Sequence, residues 1–288
     1  MDEIRDILKK YNENYINNGL SSLDNLNQYA GTFYKDVADI YDCITRIKNT
    51  TRNPTGFSQS DAPILGLLVR VWKLLKEIIK YHEQNNAEII SILERPLLES
   101  SITATYLLQN DENVIEDYRK CSYKDRLRIL KDYKAGSEFF DTKPGKRLLK
   151  SIMDKMNSEN LDENSFGIQK RNNWKLQGKS FFEIFKDVTN EKLYRYTFGM
   201  MSESIHCSWN ESMDYCLQKN EDGTYSIFPF YQEADIRYVT PILYFCNQAY
   251  KLWLQRIDVN SEYLNKTLNW IEKTNNMLFI RFDELYVQ

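Results

Sequence analysis

The chain has two histidines, His82 and His206. Imidazole is the side chain best suited to moving protons near neutral pH, so any histidine chemistry here runs through very few atoms. His206 ends the run Arg195-Tyr-Thr-Phe-Gly-Met-Met-Ser-Glu-Ser-Ile-His206. On a helix, Ser202 lies one turn before it and Glu203 three residues before it, so the three share a face. A carboxylate there favours the imidazolium, and a hydroxyl can fix the orientation of the ring. Arg195 is eleven residues upstream and nearly on the same face, but roughly 16 Å away along the axis, too far to share a reacting atom. The partner of His206 must come from another helix.

Arg95 and Glu99 are the candidates for that partner, because a buried arginine with a carboxylate one turn later is costly unless it organises something. His206 would be the base, Arg95 the cation for a phosphate or carboxylate, and Glu99 with Ser202 the orienting groups. The same residues also compose a polar network that fixes helix register, and their types leave both readings open. His82, in Lys80-Tyr-His-Glu-Gln84 at a polar helix end, reads as a surface residue.

Other chemistries lack their patterns. No H-E-x-x-H or paired E-x-x-H occurs, so neither a metal nor a cofactor is expected. Cys207 would point about 100° from His206 on a helix, which argues against a Cys–His nucleophile. Phosphate loops of the G-x-x-x-x-G-K-S/T or G-x-G-x-x-G type are missing. Cys43, Cys121, Cys207, Cys216 and Cys246 are scattered without a C-x2-C pair and read as reduced thiols, which places the expected location in the cytoplasm. The N-terminal run shows no secretory signal. Pro63 to Ile79, the most apolar run, contains Arg70, Lys73 and Lys76 and falls short of the roughly 20 residues of a membrane span. It reads as a core helix, and no membrane partner is expected. The 20 Tyr and 14 Phe read first as packing.

The net charge of −3 gives no general reason for nucleic-acid binding, but the charge is uneven. Arg119 to Lys179 holds 16 Lys and Arg against 8 Asp and Glu, a local +8 that leaves −11 elsewhere. Such a segment can face phosphates, and a solvated helix pair gives the same count.

Apolar residues at three- and four-residue intervals predict an all-α, multi-helix bundle. Helices are expected over 2–18, 22–48, 62–84, 87–109, 112–134, 144–157 and 181–188, then the His206 helix, then 234–256 and 261–283. The loop from Asn49 to Asp61 should cap the helix after it. Pro96 and Pro241 should kink or restart their helices. Asp222-Gly223, between alternating runs, predicts a small β-hairpin within 213–231. The expected organisation is a single helical domain over 1–288, with an appendage at 1–60, a core at 61–212, the hairpin, and a C-terminal helical pair at 232–288.

The order of residues in Glu94-Arg-Pro-Leu-Leu-Glu99, then Asn173-Trp174 with Lys179-Ser-Phe-Phe-Glu-Ile184, then Tyr194 and Ser202-x3-His206-x-Ser208, resembles a mostly bacterial family known only as a domain of unknown function. The resemblance covers about Ile64 to Ser212 and implies an all-helical fold. Its pattern is also similar to that of the HEPN superfamily, many of whose members are metal-independent ribonucleases of toxin and antiviral systems with R-x4-6-H on one helix. Here ten residues separate Arg195 from His206, so a rearranged site with Arg95 from another helix is what would restore that chemistry.

The resemblance therefore implies an RNA- or nucleotide-directed protein of bacterial defence, with catalytic His206, Arg95, Glu99 and Ser202. Substrate binding would fall to Trp174, Tyr194, Arg195, Lys170 and Arg171, and the active form would be a homodimer. The alternative is a non-enzymatic interaction or ligand-sensing module in which Arg95, Glu99 and His206 form a structural network.

Overall fold

The computed structural model describes residues 2–167, 174–206 and 208–287. The fold is all-α with one small antiparallel hairpin, and the described residues cluster into two compact units. One comprises 1–109 with 184–288, the other 110–183.

The first unit is built on long helices, α3 (Leu23–Thr45), α4 (Ala62–Glu83), α5 (Ala87–Leu108), α13 (Thr240–Arg256) and α14 (Glu262–Tyr286). Each buries an apolar stripe, and α5 packs against both α4 and α13. Several polar groups between these helices are matched. Tyr41 stacks on Tyr250 with centroids 4.0 Å apart, the Tyr250 hydroxyl donates to the Leu68 carbonyl at 2.7 Å, and Asn247 donates to the Leu268 carbonyl at 2.8 Å. Such bonds avoid the penalty of burying a polar group unpaired.

Several expected boundaries move for identifiable reasons. The 2–18 stretch forms α1 (Asp2–Lys9) and α2 (Glu13–Asn18), because Asn12 caps a new helix by accepting from the amides of Asn14 and Tyr15. Pro96 does not interrupt α5, which runs through it. The carbonyl that Pro96 leaves without a donor belongs to Ile92, an exposed residue, so water can take that bond. Pro241 sits in the first turn of α13, where a missing N–H is harmless and leaves nothing to bend.

Asp61 makes no side-chain cap on α4. Fully buried, it pairs instead with Arg256 at 2.7 Å and Arg52 at 3.5 Å. His82 is not a surface residue: it is buried where α3 passes close to α4 at Gly31, and burial lowers its pKa from 6.5.

The second unit contains α6 (Glu112–Cys121), α7 (Lys124–Lys134) and α8 (Lys143–Ser158). The expected 112–134 helix divides at Ser122 and Tyr123, where the Tyr123 ring turns inward to pack with Leu130, Ile152, Met156 and Phe166. Arg119 joins Glu116 and Glu159, and buried Asp117 accepts the Gln177 amide at 2.6 Å. Among the described residues no helix is long and apolar enough to cross a membrane.

Candidate functional site

The chain brings Arg95, Glu99 and His206 together. Arg95 and Glu99 stand one turn apart on α5, and Arg95 Nε donates to Glu99 Oε1 at 3.2 Å. The arginine side chain is 18% exposed, and its guanidinium carbon lies 4.3 Å from the centroid of the Phe198 ring. That is a cation–π contact in a half-desolvated setting. Arg95 Nη1 then meets His206 Nε2 at 3.2 Å. A guanidinium can only donate, so this contact requires the lone pair of Nε2 and places the imidazole proton on Nδ1. His206 itself is exposed.

The segment opposite α5 is shaped to deliver these groups. After α9 (Phe181–Val188), a short α10 (Glu191–Tyr194) opens into a π turn, Arg195–Gly199, and closes into α11 (Met200–Ile205), which packs on α5. The extra residue of a π turn rotates the helix beyond it, and such turns recur at functional sites. Here Phe198 faces inward and is buried, while Arg195 and Tyr196 face solvent. The Tyr194 ring lies 5.0 Å from Phe198 and 5.3 Å from Phe185, giving the arginine an aromatic wall. Burial raises the pKa of the Tyr194 phenol, Arg95 opposing the rise and Glu99 adding to it.

His206 stands at the C-terminal end of α11, where its amide bonds the Ser202 carbonyl at 3.2 Å. Ser208 then caps a new helix, α12 (Trp209–Tyr215), through the amide of Glu211. Glu211 reaches back from α12. Its Oε2 accepts from Ser204 at 2.9 Å and its Oε1 from Ser91 on α5 at 3.3 Å. This carboxylate clasps α5, α11 and α12 on either side of the turn that carries His206.

Glu94, one residue before Arg95, lies buried close enough to Glu211 to feel its charge. Burial first, then Asp235 and Glu211, push its pKa well above 4.5. Beyond α12, β1 (Leu217–Lys219) and β2 (Tyr225–Ile227) pair antiparallel, with Gly223 at φ +85° in the turn. The hairpin falls within the 213–231 expected, after α12 takes the first residues of that stretch.

Ser202 shares the helix with His206, but its hydroxyl donates to the Phe198 carbonyl at 2.7 Å and does not orient the ring. Glu203 accepts from Asn210 at 3.1 Å. Arg195 is exposed and makes no hydrogen bond or ion pair with the cluster among the described residues. Trp174 is half-buried in the second unit, just before the short Leu176–Lys179 bridge. Lys170, Arg171, Asn173 and Cys207 lie outside the described residues.

Three contributors escaped the sequence reading: Phe198, Glu211 and Glu94. Phe198 had a signal, since Tyr194, Phe198, Ser202 and His206 recur every four residues. Glu94 and Glu211 had none, because only the packing of α12 brings Glu211 towards α5.

Among the described residues no group of three His, Cys, Asp or Glu is placed to hold a metal ion. The arrangement presents a fixed guanidinium beside an imidazole lone pair at an accessible edge, which suits an anion with an ionisable hydroxyl. In comparison with known proteins, no curated protein and no solved structure matches the chain. A family model does match, over residues 61–224, a stretch that contains Arg95, Glu99, Tyr194, Phe198, His206 and Glu211. It spans more than half of the 288 residues, and the chain belongs to that family of unknown function (DUF5677).

Proposed function

We propose that the chain acts on RNA as a metal-independent endoribonuclease of HEPN type, in a bacterial defence or toxin setting, with His206 as the base. The observation that carries this reading is the 3.2 Å contact between Arg95 Nη1 and His206 Nε2, a cation and a base supplied by different helices. An incoming phosphate replaces the imidazole as the acceptor for Nη1, which frees the Nε2 lone pair where it is needed. His206 then takes the proton of a ribose 2′-hydroxyl, the 2′-oxygen bonds phosphorus, and the bond to the 5′-oxygen breaks. That oxygen leaves with a proton from water. The products are a 2′,3′-cyclic phosphate and a 5′-hydroxyl. Arg95 stabilises the charge gathering on the phosphoryl oxygens, while Glu99 and the Phe198 ring hold the guanidinium in place.

The test is incubation of wild type, His206→Ala and Arg95→Ala with total bacterial RNA in EDTA, scored for cyclic-phosphate ends. Loss of a general base lowers the rate by about 10²–10⁴, and loss of a preorganised donor by about 10²–10³. A second reading, a non-enzymatic interaction module, is favoured by the same bond, since in it the Nε2 lone pair is already satisfied. It expects no cleavage by any of the three proteins and a lower melting temperature for His206→Ala. The homodimer belongs to the first reading. Light scattering tests it, and the exposed Tyr196, Met200, Trp209, Ile227 and Phe230 offer apolar surface for it.

A further inference from the structure

The second unit carries a surface whose residues do not enter the His206 site. On α8, Lys143, Lys146, Arg147 and Lys150 are all exposed. At 3.6 residues per turn they fall within an arc of about 100° and a rise of about 10 Å. The opposite face, through Gly145, Ile152 and Met156, is buried. Four other cations of this unit are held by acids: Arg119 by Glu116 and Glu159, Lys120 by Glu116, Arg128 by Asp125, and Lys134 by Glu163, while Lys124, Arg126, Lys131 and Lys155 lie off this arc. Among the described residues the four on α8 are held in no ion pair. Asp154 ends the stripe on the same arc, and Glu138 and Asp141 bound it before α8 begins.

Two aromatic rings stand at the start of this stripe. Phe139 is 47% exposed and Tyr133 46%. Each packs edge-on against the buried Phe140 ring, at 5.3 Å in both cases. The backbone ties them to the cations. A Cβ on Gly145 would lie 2.1 Å from the Phe139 carbonyl oxygen, so the first turn of α8 rests directly on the Phe139–Phe140 backbone. Thr142 fastens the joint, accepting from the Gly145 amide at 3.2 Å and donating to the Phe139 carbonyl at 2.6 Å.

A row of unpaired cations near two half-exposed rings is the chemistry of single-stranded nucleic acid, in which phosphates meet the charges and bases stack on the rings. A membrane fits less well. An interfacial helix needs a free apolar face, whereas Ile152 and Met156 of α8 are buried in the core of its own unit and only Leu148 and Met153 are left exposed. We infer that the basic face of α8, with Phe139 and Tyr133, is a binding tract for single-stranded RNA. The inference takes its partner from the proposed function but needs no cleavage, so it is tested on the full-length His206→Ala chain.

The probe is a dye-labelled oligouridine of about twelve nucleotides, followed by fluorescence anisotropy over a salt series. Four contacted phosphates give a slope of log K against log salt of about −2.8, and Lys146→Gln with Arg147→Gln reduces it by about 1.4. Phe139→Ala weakens binding about 5- to 150-fold at an unchanged slope, and Phe139→Trp restores it. Both charge substitutions are at exposed positions, so they test the surface even where the ring variant unfolds its turn. Unchanged affinity and slope in the charge variant would overturn the inference. So would equal affinity for an RNA duplex, or binding of phosphatidylserine vesicles in preference to the oligouridine. Binding lost on α8 while wild-type cleavage of a short substrate persists separates this tract from the His206 reading.

Discussion

Replacing Glu94 by glutamine should stabilise the first unit by an amount that grows with pH. Glu94 is 8% exposed, and burial, reinforced by Asp235 and Glu211, holds its carboxyl well above 4.5. The folded chain keeps a proton that the unfolded chain releases. A raised carboxyl pKa means that this group's contribution is fully present below 4.5. It is then lost as pH climbs towards the folded value, at about 1.4 kcal/mol per pH unit while the folded form stays protonated. Glutamine has the shape of the protonated acid and no titration, so the variant loses this slope.

The gap between variant and wild type should open above 4.5 by that amount per unit, or roughly 3 to 5 °C in melting temperature. His82 works in the other direction. Its lowered pKa contributes stability above 6.5 that is lost as pH falls below it, but both proteins carry it and it cancels. Urea unfolding from about pH 4 to about pH 8, followed by tryptophan fluorescence, reads the right unit, since Trp72, Trp209, Trp253 and Trp270 lie there and only Trp174 does not. Parallel stability curves for the two proteins would refute the reasoning. A confirmed slope would also bear on the site, because an ionised Glu94 repels Glu211, whose two oxygens bind Ser204 and Ser91 around the His206 turn.

Two other predictions concern single contacts. With two histidines in the chain, nitrogen-15 histidine labelling gives an uncrowded spectrum. It should show His206 with its proton on Nδ1, and Phe198→Leu, by removing the ring under Arg95 and about 0.5–1 kcal/mol of cation–π attraction, should shift that ring towards the Nε2–H form. A wild-type ring already protonated on Nε2 would rule out the Arg95 contact. Asp61→Leu leaves Arg256 in a buried site without its carboxylate and should lower stability by about 3–5 kcal/mol, whereas Asp61→Leu with Arg256→Met should recover most of that loss; equal losses in the two would show that packing, not charge, is what Asp61 provides.

Periodicity was enough to read the long helices, because each buries one stripe against neighbours that do the same. Boundaries failed where a local side chain outvoted the period. Asn12 starts a helix inside an apolar pattern, Tyr123 turns in and divides 112–134, and Pro96 is tolerated because the carbonyl it orphans belongs to an exposed residue. The loop that ends at Asp61 was expected to cap α4, but Asp61 makes no side-chain cap. Two arginines, one from the same loop and one almost two hundred residues later, claimed its carboxylate instead. No local rule contains that competition.

The site divides along the same line. Arg95 with Glu99 was legible because the spacing of an ion pair on one helix is a local fact, and His206 because it was one of only two imidazoles. The link between them is not local, and what makes it is the π turn at Arg195–Gly199. In a regular helix Arg195 and His206 would lie nearly on one face. The extra residue breaks that alignment, so Phe198 faces inward under the Arg95 guanidinium while Arg195 faces solvent. The arginine that the sequence places on the histidine's own helix is thereby removed from the site, and one from α5 takes its position. Rewinding Arg195–Gly199 as regular α-helix with all five residues kept would rotate α11 and His206 by about 100° relative to Arg195, which is why the geometry of this cluster depends on the backbone of the turn as much as on the side chains it presents.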